Sequence, residues 1–343
     1  MGGQGTVYVV SSNFDLRFNR GWLASVDVAS LKLPATAGST PVHDDNPHIQ
    51  SAVLVDSFGG PVLNMQLASQ TGAQRRLFVA ARASNVLQAI DVDGATLSCP
   101  TSPGGTDCFD HAVNLVQGDN SQLRDAYRPV LAGGQVWVSH LSVVDVPRGS
   151  GLLRHSSLAR VDPVALGGSP VGFVTIGIEP ADGMAEVNGA LYLGGRASGT
   201  DANSEVLRRL DASGTDPTIV DLPLRSGANV YETRGMATSS DGTRLYLATR
   251  TPDALVTLDM SPGLNGRPKE TVLGVALLPM PHAAPWLERG ALTRLLPGWY
   301  ADNGPLALYY PNRKLLPSKT RVFIDFIAEA FQSRGLAQRF DGR

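Results

Sequence analysis

The sequence predicts a mainly β fold, a β-propeller of about five recognisable blades followed by a short α/β tail. Three observations lead to this prediction: a strand-pair pattern that recurs five times, a composition rich in turn residues, and a strongly amphipathic segment near the C-terminus that breaks the pattern. Strand pairs that recur every roughly 55 to 70 residues indicate radial stacking, because a single pair cannot bury its own apolar face. That spacing leaves room for one four-stranded blade in each repeat.

Each repeat has a short apolar strand, a loop of variable length and a second strand that ends in aspartate. The five copies are residues 6–10 with 24–27, 77–81 with 88–91, 136–139 with 158–162, 191–194 with 207–211, and 245–248 with 255–259. Apolar and polar positions alternate within the strands, as half-buried strands require. We interpret the five terminal aspartates as structural, because a carboxylate at a strand end accepts hydrogen bonds from the N–H groups of the following turn.

Composition limits the partners that can be expected. Charged residues make up 17% of the 343 positions, while glycine and proline are frequent at 37 and 23. The formal charge of −2 gives no electrostatic reason to expect direct nucleic-acid binding. No apolar run reaches the roughly 18 residues of a membrane span, and the start of the sequence does not read as a signal peptide. No cofactor-binding or nucleophile motif is present, so no cofactor is expected and an enzyme is not favoured.

The two cysteines, Cys99 and Cys108, flank a segment rich in glycine and proline. A turn of that kind brings the two sulfur atoms close enough for a disulfide, which persists in an oxidising compartment. The alternative is a pair of unpaired thiols in a surface loop. The sequence does not decide between these two states or between compartments.

The densest group of possible metal ligands is His43, Asp44, Asp45 and His48. Two imidazoles and two carboxylates within six residues are suitable ligands for a divalent ion. The same residue types, with Pro47 among them, are also typical of an exposed turn. Both interpretations remain open at this point.

Three arginines occupy equivalent places at the end of the first strand of their repeats: Arg82, Arg196 and Arg250. In a propeller, equivalent positions are related by rotation, so the three guanidinium groups could face one axis or rim. Converging guanidinium groups would bind a small anionic ligand with a carboxylate or phosphate. The alternative is that each arginine pairs with an aspartate of its own blade, and repeats one and three have Asn13 and Leu141 at this position.

Residues 77–91 and 243–259 resemble the repeats of lactonase-like, YVTN-type β-propellers. Both have an apolar strand with an aromatic residue, a small polar turn and a strand that ends in aspartate. The resemblance covers roughly residues 1–270 and implies the propeller fold and a periplasmic or exported ancestor. It implies little about activity, because such propellers bind ligands, act as scaffolds and catalyse several reactions.

The segment from residue 274 resembles the end of the effector-binding domain of LysR-type transcriptional regulators. The matching stretches are residues 274–279, 290–299, 304–313, 316–319 and 321–326. The resemblance covers about the last 70 residues and includes no DNA-binding winged helix. We therefore predict a chimera with two domains, a propeller over residues 1–273 and a LysR-like fragment over residues 274–343.

An amphipathic helix is predicted over residues 318–331, with Pro317 and Ser318 as its start signal and Gly335 after its end. Its apolar face comprises Val322, Phe323, Phe326, Ile327 and Ala330. This face would have covered a sheet of the parent domain, most of which the chain lacks. The tail is therefore expected to be a small satellite that is less stable than the blades.

The leading functional hypothesis is a non-enzymatic propeller that binds an unknown protein or a small anionic ligand. One alternative is a lactonase-like enzyme that uses the central channel, and another is a fragment of a LysR-type regulator without its DNA-binding domain. Because the first strand begins abruptly and the last repeat is followed by unrelated sequence, closure of the propeller is expected to be incomplete.

Overall fold

The computed structural model is described over most of the chain. The described residues are 5–13, 19–30, 48–100, 105–110, 112–116, 125–140, 144–148, 151–155, 157–176, 178–197, 205–212, 214, 217–223, 233–250, 253–261, 269–274, 280–294 and 318–336. Contacts divide the chain into two compact units, Met1–Val275 (unit 1) and Ala276–Arg343 (unit 2). No described helix is long and apolar enough to cross a membrane.

The described part of unit 1 contains five antiparallel sheets of three or more strands, which follow each other along the chain, and one separate hairpin. Sheet 1 has three strands, β1 (Thr6–Ser11), β2 (Gly21–Asp27) and β3 (Ile49–Val55). Sheet 2 has β4 (Gly59–Met65), β5 (Arg75–Ala81), β6 (Val86–Asp93) and β7 (Thr96–Ser98), and the short β8 (Val113–Asn114) also pairs with β6. Sheet 3 has β9 (Ala126–Ala132), β10 (Gln135–His140), β13 (Ser157–Val161) and β14 (Gly172–Thr175), with a separate hairpin of β11 (Val144–Arg148) and β12 (Gly151–His155) between β10 and β13.

Sheets 4 and 5 complete the set. Sheet 4 has β15 (Ile178–Val187), β16 (Ala190–Ala197), β17 (Glu205–Asp211) and β18 (Ile219–Pro223). Sheet 5 has β19 (Thr233–Thr238), β20 (Arg244–Arg250), β21 (Asp253–Asp259) and β22 (Lys269–Gly274). The four-stranded sheets pair their strands in chain order, as propeller blades do, so the predicted fold class is confirmed.

Sheets 2, 3 and 4 bury apolar side chains on both faces, because each of them packs between its two neighbours in the chain. On β5, Leu77 and Val79 belong to the cluster shared with sheet 1, while Phe78 and Ala80 belong to the cluster shared with sheet 3. Two further clusters join sheet 3 to sheet 4 and sheet 4 to sheet 5. This explains why the second strands are near-continuous apolar runs rather than one-sided alternations.

The first strand of each four-stranded sheet lies against the first strand of the next, in the order β4, β9, β15 and β19, and β1 contacts β4. Glycine permits this close approach. A Cβ atom added to Gly60 of β4 would lie 2.4 Å from the backbone oxygen of Tyr127 of β9. No side chain fits there without displacing one of the two strands.

Asp27, Asp162 and Asp259 act as predicted, whereas the carboxylate of Asp91 is bonded by the guanidinium group of Arg76. Oδ1 of Asp27 accepts a hydrogen bond from the backbone N–H of Ala29 at 3.0 Å, and Oδ1 of Asp259 accepts one from Ser261 at 3.0 Å. In the third repeat, Oδ1 of Asp162 accepts one from Val164 at 2.8 Å. These bonds hold the turn after the strand and confirm a structural role for these aspartates.

Unit 2 is described by two helices, α1 (Met280–Glu288) and α2 (Ser318–Ser333). Helix α2 confirms the predicted tail helix. Three large side chains of its apolar face are exposed, Val322 by 68%, Phe323 by 57% and Phe326 by 60%. Helix α1 was not predicted, because Pro285 interrupts its helical pattern. Residues 306–310, an apolar stretch whose sequence predicts a strand, lie outside the described residues.

Candidate functional site

Polar side chains gather at one end of sheets 1 to 3, where the second strands end and the first strands begin. Asp56, Ser57, Asn85 and Gln88 are buried there, with exposed fractions between 0 and 6%. Burial of a polar group costs free energy unless the group is hydrogen-bonded. A cluster of buried polar groups therefore makes this end of the sheets a candidate functional site.

Arg82 and Asp125 form the charged part of the cluster. Arg82 directly follows β5, and Asp125 directly precedes β9, so the pair joins sheet 2 to sheet 3. Nε of Arg82 lies 3.2 Å from Oδ1 of Asp125, and each side chain is about one third exposed (33% and 36%). With Phe58 and Ala83, the pair lines a pocket of about 340 Å³. We call these four residues the Arg82 pocket.

The terminal amino groups of Arg82 have no hydrogen-bond partner in the part of the chain that the structure describes. Nε makes the bond to Asp125, and the backbone N–H of Arg82 donates to the carbonyl of Phe58 at 3.3 Å. A guanidinium group carries five N–H donors in a rigid fork. Four of them therefore remain available to a ligand at the Arg82 pocket.

The pocket is built on unusual backbone conformations. Phe58 and Asp125, each directly before a first strand, have φ of 59° and 63°. Asn13, in the loop after β1, and Asn85, in the loop after β5, have φ of 48° and 59°. Left-handed conformations are uncommon outside glycine, and they are unusual above all for a bulky residue such as Phe58. Backbone strain of this kind concentrates at binding and catalytic sites.

Two asparagines connect consecutive sheets at this end. Nδ2 of Asn13 donates to Oγ of Ser57 at 3.0 Å, which ties the loop after β1 to the start of sheet 2. Oδ1 of Asn85 accepts from the backbone N–H of Ala126 at 2.9 Å, which ties the loop after β5 to sheet 3. The two bonds differ in donor and acceptor, but each asparagine connects its loop to the sheet that follows.

A second arginine lies next to the cluster. Nη1 of Arg20 is 3.6 Å from Oδ1 of Asp56, and its Nε is 3.7 Å from Oδ2 of Asp107. Its guanidinium carbon lies 4.2 Å from the ring centre of Phe109, a cation–π contact. Arg20 is therefore held from three sides, which leaves Arg82 as the better ligand-binding group.

Gln88 carries an unsatisfied donor at the same end. Its Oε1 accepts from the backbone N–H of Asp56 at 2.7 Å, but its Nε2 is buried and has no partner. Asp56 in turn accepts from the backbone N–H of Ser84 at 3.0 Å. An unsatisfied buried amide costs about 1–3 kcal/mol, a cost that is common at functional sites.

Ser139 and His140 do not form a nucleophile–base pair. Nδ1 of His140 lies 3.1 Å from the carbonyl oxygen of Ser157, and Nε2 lies 3.2 Å from that of Leu115. Oγ of Ser139 accepts from the backbone N–H of Arg128 instead. The imidazole is fully buried, and burial lowers the pKa of His140 against the smaller raising effect of the two carbonyls.

The pKa shift of His140 predicts acid sensitivity. Because its pKa is lower in the folded chain than in the unfolded chain, the unfolded chain binds the proton first as pH falls below about 6.5. The free energy of unfolding should therefore decrease between pH 6.5 and pH 5, by up to about 1.4 kcal/mol per pH unit. Urea unfolding at several pH values measures this slope. The variant His140→Gln should show a flatter slope, and an unchanged slope would contradict the assignment.

The structure places the three predicted arginines at or directly after the ends of β5, β16 and β20. These are the first strands of the sequence repeats and the second strands of their sheets. Arg82 pairs with an aspartate of the next sheet, not of its own blade. Arg196 lies in β16 opposite Glu205, and Arg250 lies in β20 opposite Asp253. The side chains of Arg196 and Arg250 are outside the described residues, so convergence of the three groups remains a prediction.

The predicted metal ligands are described only in part. His43, Asp44 and Asp45 lie outside the described residues, and Nδ1 of His48 lies 2.7 Å from Oγ of Ser30. Among the described residues, no group of three or more histidine, cysteine or acidic side chains is placed to hold a metal ion. The metal hypothesis therefore remains untested.

Cys99 and Cys108 are bonded to each other, with their Cα atoms 5.0 Å apart. Both side chains are buried in the cluster that sheet 1 shares with sheet 2. The disulfide therefore closes the loop after β7 against the apolar core.

The sequence analysis missed the residues that build the Arg82 pocket around its arginine. A signal for two of them is present, because the dipeptide Ser-Asn follows the first two apolar strands as Ser12-Asn13 and Ser84-Asn85. Phe58 and Asp125 have no such signal. They line the pocket because each directly precedes the first strand of a sheet, and only the folded structure shows where those strands begin.

Comparison with protein families gives a match in the last part of the chain. The LysR substrate binding domain matches residues 270–332. The HTH-type transcriptional regulator PtxR of Pseudomonas aeruginosa is 39% identical over 56 residues, which are 16% of this chain and 18% of the regulator. The chain thus spans less than a fifth of that curated relative. The predicted resemblance of the tail to LysR-type regulators is confirmed.

Comparison with solved structures gives remote likenesses. A protein from Lactobacillus plantarum aligns with a TM-score of 0.49 at 13% identity, over 80% of this chain and 69% of its own. A putative 6-phosphogluconolactonase from Bacteroides uniformis aligns with a TM-score of 0.44 at 13% identity, over 81% and 72%. At these scores the likenesses carry no argument about chemistry, and the propeller assignment rests on the sheets themselves.

Proposed function

We propose that unit 1 is a non-enzymatic binding module that holds a small ligand with a carboxylate or phosphate group in the Arg82 pocket. The observation that carries this proposal is a half-buried guanidinium group that lines a pocket and whose terminal amino groups have no hydrogen-bond partner among the described residues. Carboxylates and phosphates match the fork of a guanidinium group with two parallel hydrogen bonds.

The size of the pocket supports a small ligand. Its volume of about 340 Å³ is at the lower end of the range for small-molecule sites, roughly 300–1,000 Å³. The left-handed residues Phe58 and Asp125 hold two of its walls in place. A pre-formed pocket loses little conformational entropy when the ligand binds.

Asp125 opposes the binding of an anion. Its carboxylate is paired with Arg82 and repels a second negative charge in the same place. An anionic ligand therefore has to compete with Asp125 for the guanidinium group. This competition gives the proposal a test in which two variants change the affinity in opposite directions.

The first variant is Arg82→Met. Loss of a charge-assisted, two-pronged bond should weaken the binding of inorganic phosphate or malate by at least about 10-fold. Titration calorimetry on the purified chain measures the affinity. The matched control is Arg75→Met, because Arg75 lies at the opposite end of β5 and donates to the carbonyls of Gly72 and Gln74. Equal losses in both variants would contradict the proposal.

The second variant is Asp125→Asn. Asparagine adopts the left-handed conformation readily, so the backbone should be kept while the competing charge is removed. Affinity for phosphate or malate should rise several-fold, by roughly the 1 kcal/mol that an exposed ion pair contributes at most. If affinity falls instead, Asp125 holds Arg82 in its binding position, and competition is the wrong description.

The enzyme alternative makes a different prediction. A lactonase-like reaction in the central channel would need a divalent metal held by several blades. Elemental analysis of the purified chain that finds a stoichiometric metal would favour the enzyme. For the tail, the match to a substrate-binding family supports the origin of the segment, and no DNA-binding role is proposed for it.

A further inference from the structure

Strand β1 has one edge that pairs with no other strand among the described residues. In the sequence repeats, β1 occupies the same position as β5, β10, β16 and β20. These four strands are the second strands of their sheets. Each of those four strands pairs on both edges. Strand β1 pairs with β2 alone. Among the described residues, sheet 1 therefore has no strand at the position that the first strand occupies in the other four sheets.

The register identifies the backbone groups on the open edge. The backbone N–H of Val28 donates to the carbonyl of Gly5, and these two residues are directly opposite in the register of β1 with β2. In an antiparallel pair, the backbone groups of alternate residues point toward the partner strand. The groups of Thr6, Tyr8 and Val10 consequently point away from β2, toward the open edge.

The open edge also leaves apolar side chains uncovered. Val7 and Val9 are exposed by 47% and 40%, whereas the central residues of β5 are fully buried. Trp22 of β2 and Leu54 of β3 lie on the same face of sheet 1 as these valines, with 37% and 40% exposure. The first sheet therefore has both an unpaired ladder and an apolar face beside it.

Within strand β1 itself, no residue or bulge of the usual kinds protects this edge. Proteins normally protect exposed edge strands with lysine, proline or a β-bulge. Strand β1 reads Thr-Val-Tyr-Val-Val-Ser, and its register with β2 runs without a bulge. An unprotected, uncharged edge of six residues is suited to accepting a further strand.

The other sheets show which kind of strand fits. In each of them the first strand lies antiparallel to the second, and its sequence combines glycine or proline with apolar residues. Two examples are Gly235-Met236-Ala237 in β19 and Gly183-Met184-Ala185 in β15, whose methionines are buried. Small residues are needed because first strands of adjacent sheets approach closely, as Gly60 does.

We propose that the open edge of β1 binds an extended segment of a partner polypeptide as an added antiparallel strand. The backbone groups of Thr6, Tyr8 and Val10 supply the hydrogen bonds. Because the described side chains of β1 carry no charge, the segment is expected to be uncharged and apolar at alternate positions, with small residues where it meets β4. This site is separate from the Arg82 pocket and does not depend on the proposed anion binding.

The test uses a fluorescein-labelled peptide with the sequence of residues 232–239, which includes β19. Fluorescence anisotropy of the peptide with the full chain should show saturable binding below about 1 mM, and a scrambled peptide should bind at least about 10-fold more weakly. Absence of saturable binding, or equal binding of both peptides, would overturn the proposal.

Two variants locate the binding to the edge. Val10→Pro removes a backbone N–H on the open edge and should weaken binding at least about 10-fold, because proline cannot donate to a ladder. Val10→Ala keeps the N–H and serves as the matched control, with binding within about 3-fold of the parent chain. Thr6→Pro, at the first residue of the strand where proline is tolerated, provides a second blocking variant if Val10→Pro fails to fold.

Sedimentation of the chain without peptide tests whether a second copy of the chain, rather than a partner segment, occupies the edge. A monomer supports the proposal. A dimer that Val10→Pro or Thr6→Pro converts to a monomer would show that a second copy of the chain occupies the edge, and the proposed partner segment would be wrong.

Discussion

A chain that ends at residue 275 is expected to fold as unit 1 does in the full protein, whereas a chain that ends at residue 268 is expected to lose sheet 5. The two deletions differ by seven residues. The difference is β22, which pairs with β21 over all six of its residues, from Lys269 opposite Asp259 to Gly274 opposite Ala254. Each backbone hydrogen bond contributes about 1 kcal/mol net, so loss of the strand should cost roughly 3–6 kcal/mol.

Limited proteolysis and urea unfolding of both truncated chains measure this difference. The longer fragment should resist protease and unfold near the midpoint of the unit 1 transition in the full protein. The shorter fragment should be cut within β19 to β21. If removing residues 276–343 unfolds unit 1, the tail is an integral closing element and the chimera account is wrong.

The position of β22 also bears on how the two parts are joined. The match to the LysR substrate binding domain begins at residue 270, inside β22, while contacts assign Met1–Val275 to unit 1. We propose that the first stretch of LysR-like sequence supplies the fourth strand of the last blade. In structure unit 1 would then end at Val275, with the sequence junction a few residues earlier.

Arg76→Met is expected to lower the free energy of unfolding by about 3 kcal/mol. Arg76 lies in β5 and is 8% exposed. Its Nε and Nη2 donate to the two carboxylate oxygens of Asp91 at 2.7 and 3.0 Å, and its Nη1 donates to the carbonyl of Pro163 at 3.0 Å. One side chain thus connects two strands of sheet 2 and extends to the turn after β13 in sheet 3.

The cost is large because removal of the guanidinium group leaves a half-buried carboxylate and a carbonyl without donors. The neighbouring Arg75→Met is the matched control and should change stability by less than about 1 kcal/mol, since Arg75 donates only to carbonyls of the adjacent turn. Urea midpoints of both variants measure the effect. The double variant with Asp91→Asn should be less destabilised than the sum of the singles, and strict additivity would refute a direct pair.

The tail illustrates how far a local pattern can be trusted. Helix α2 was predicted from the spacing of its apolar residues, and the helix is present. The same pattern predicted an apolar face suited to burial against a sheet. Val322, Phe323 and Phe326 on this face are nevertheless 57–68% exposed. Periodicity specifies that a helix has an apolar face. It does not specify whether the remainder of a fold is present to cover that face.

The Arg82 pocket also combines one residue that the sequence predicted with others that it did not. Arg82 was predicted from its repeated position, and it does line a pocket. Its partner was not predicted, because Asp125 is 43 positions away and joins the site only through the packing of sheet 3 against sheet 2. The left-handed conformation of Phe58 was also invisible, since no local propensity favours it in a bulky residue.

The sequence by itself determined the five repeated strand pairs, the turns after Asp27, Asp162 and Asp259, and the tail helix. These features depend on alternation, turn chemistry and spacing, which act between residues close in the chain. Only the tertiary structure decided that Arg76 joins two sheets, that Arg82 pairs with Asp125, that β22 belongs to the last blade and that β1 has an open edge. Each of those results depends on which strand lies next to which, and that is set by the burial of apolar faces from distant parts of the chain.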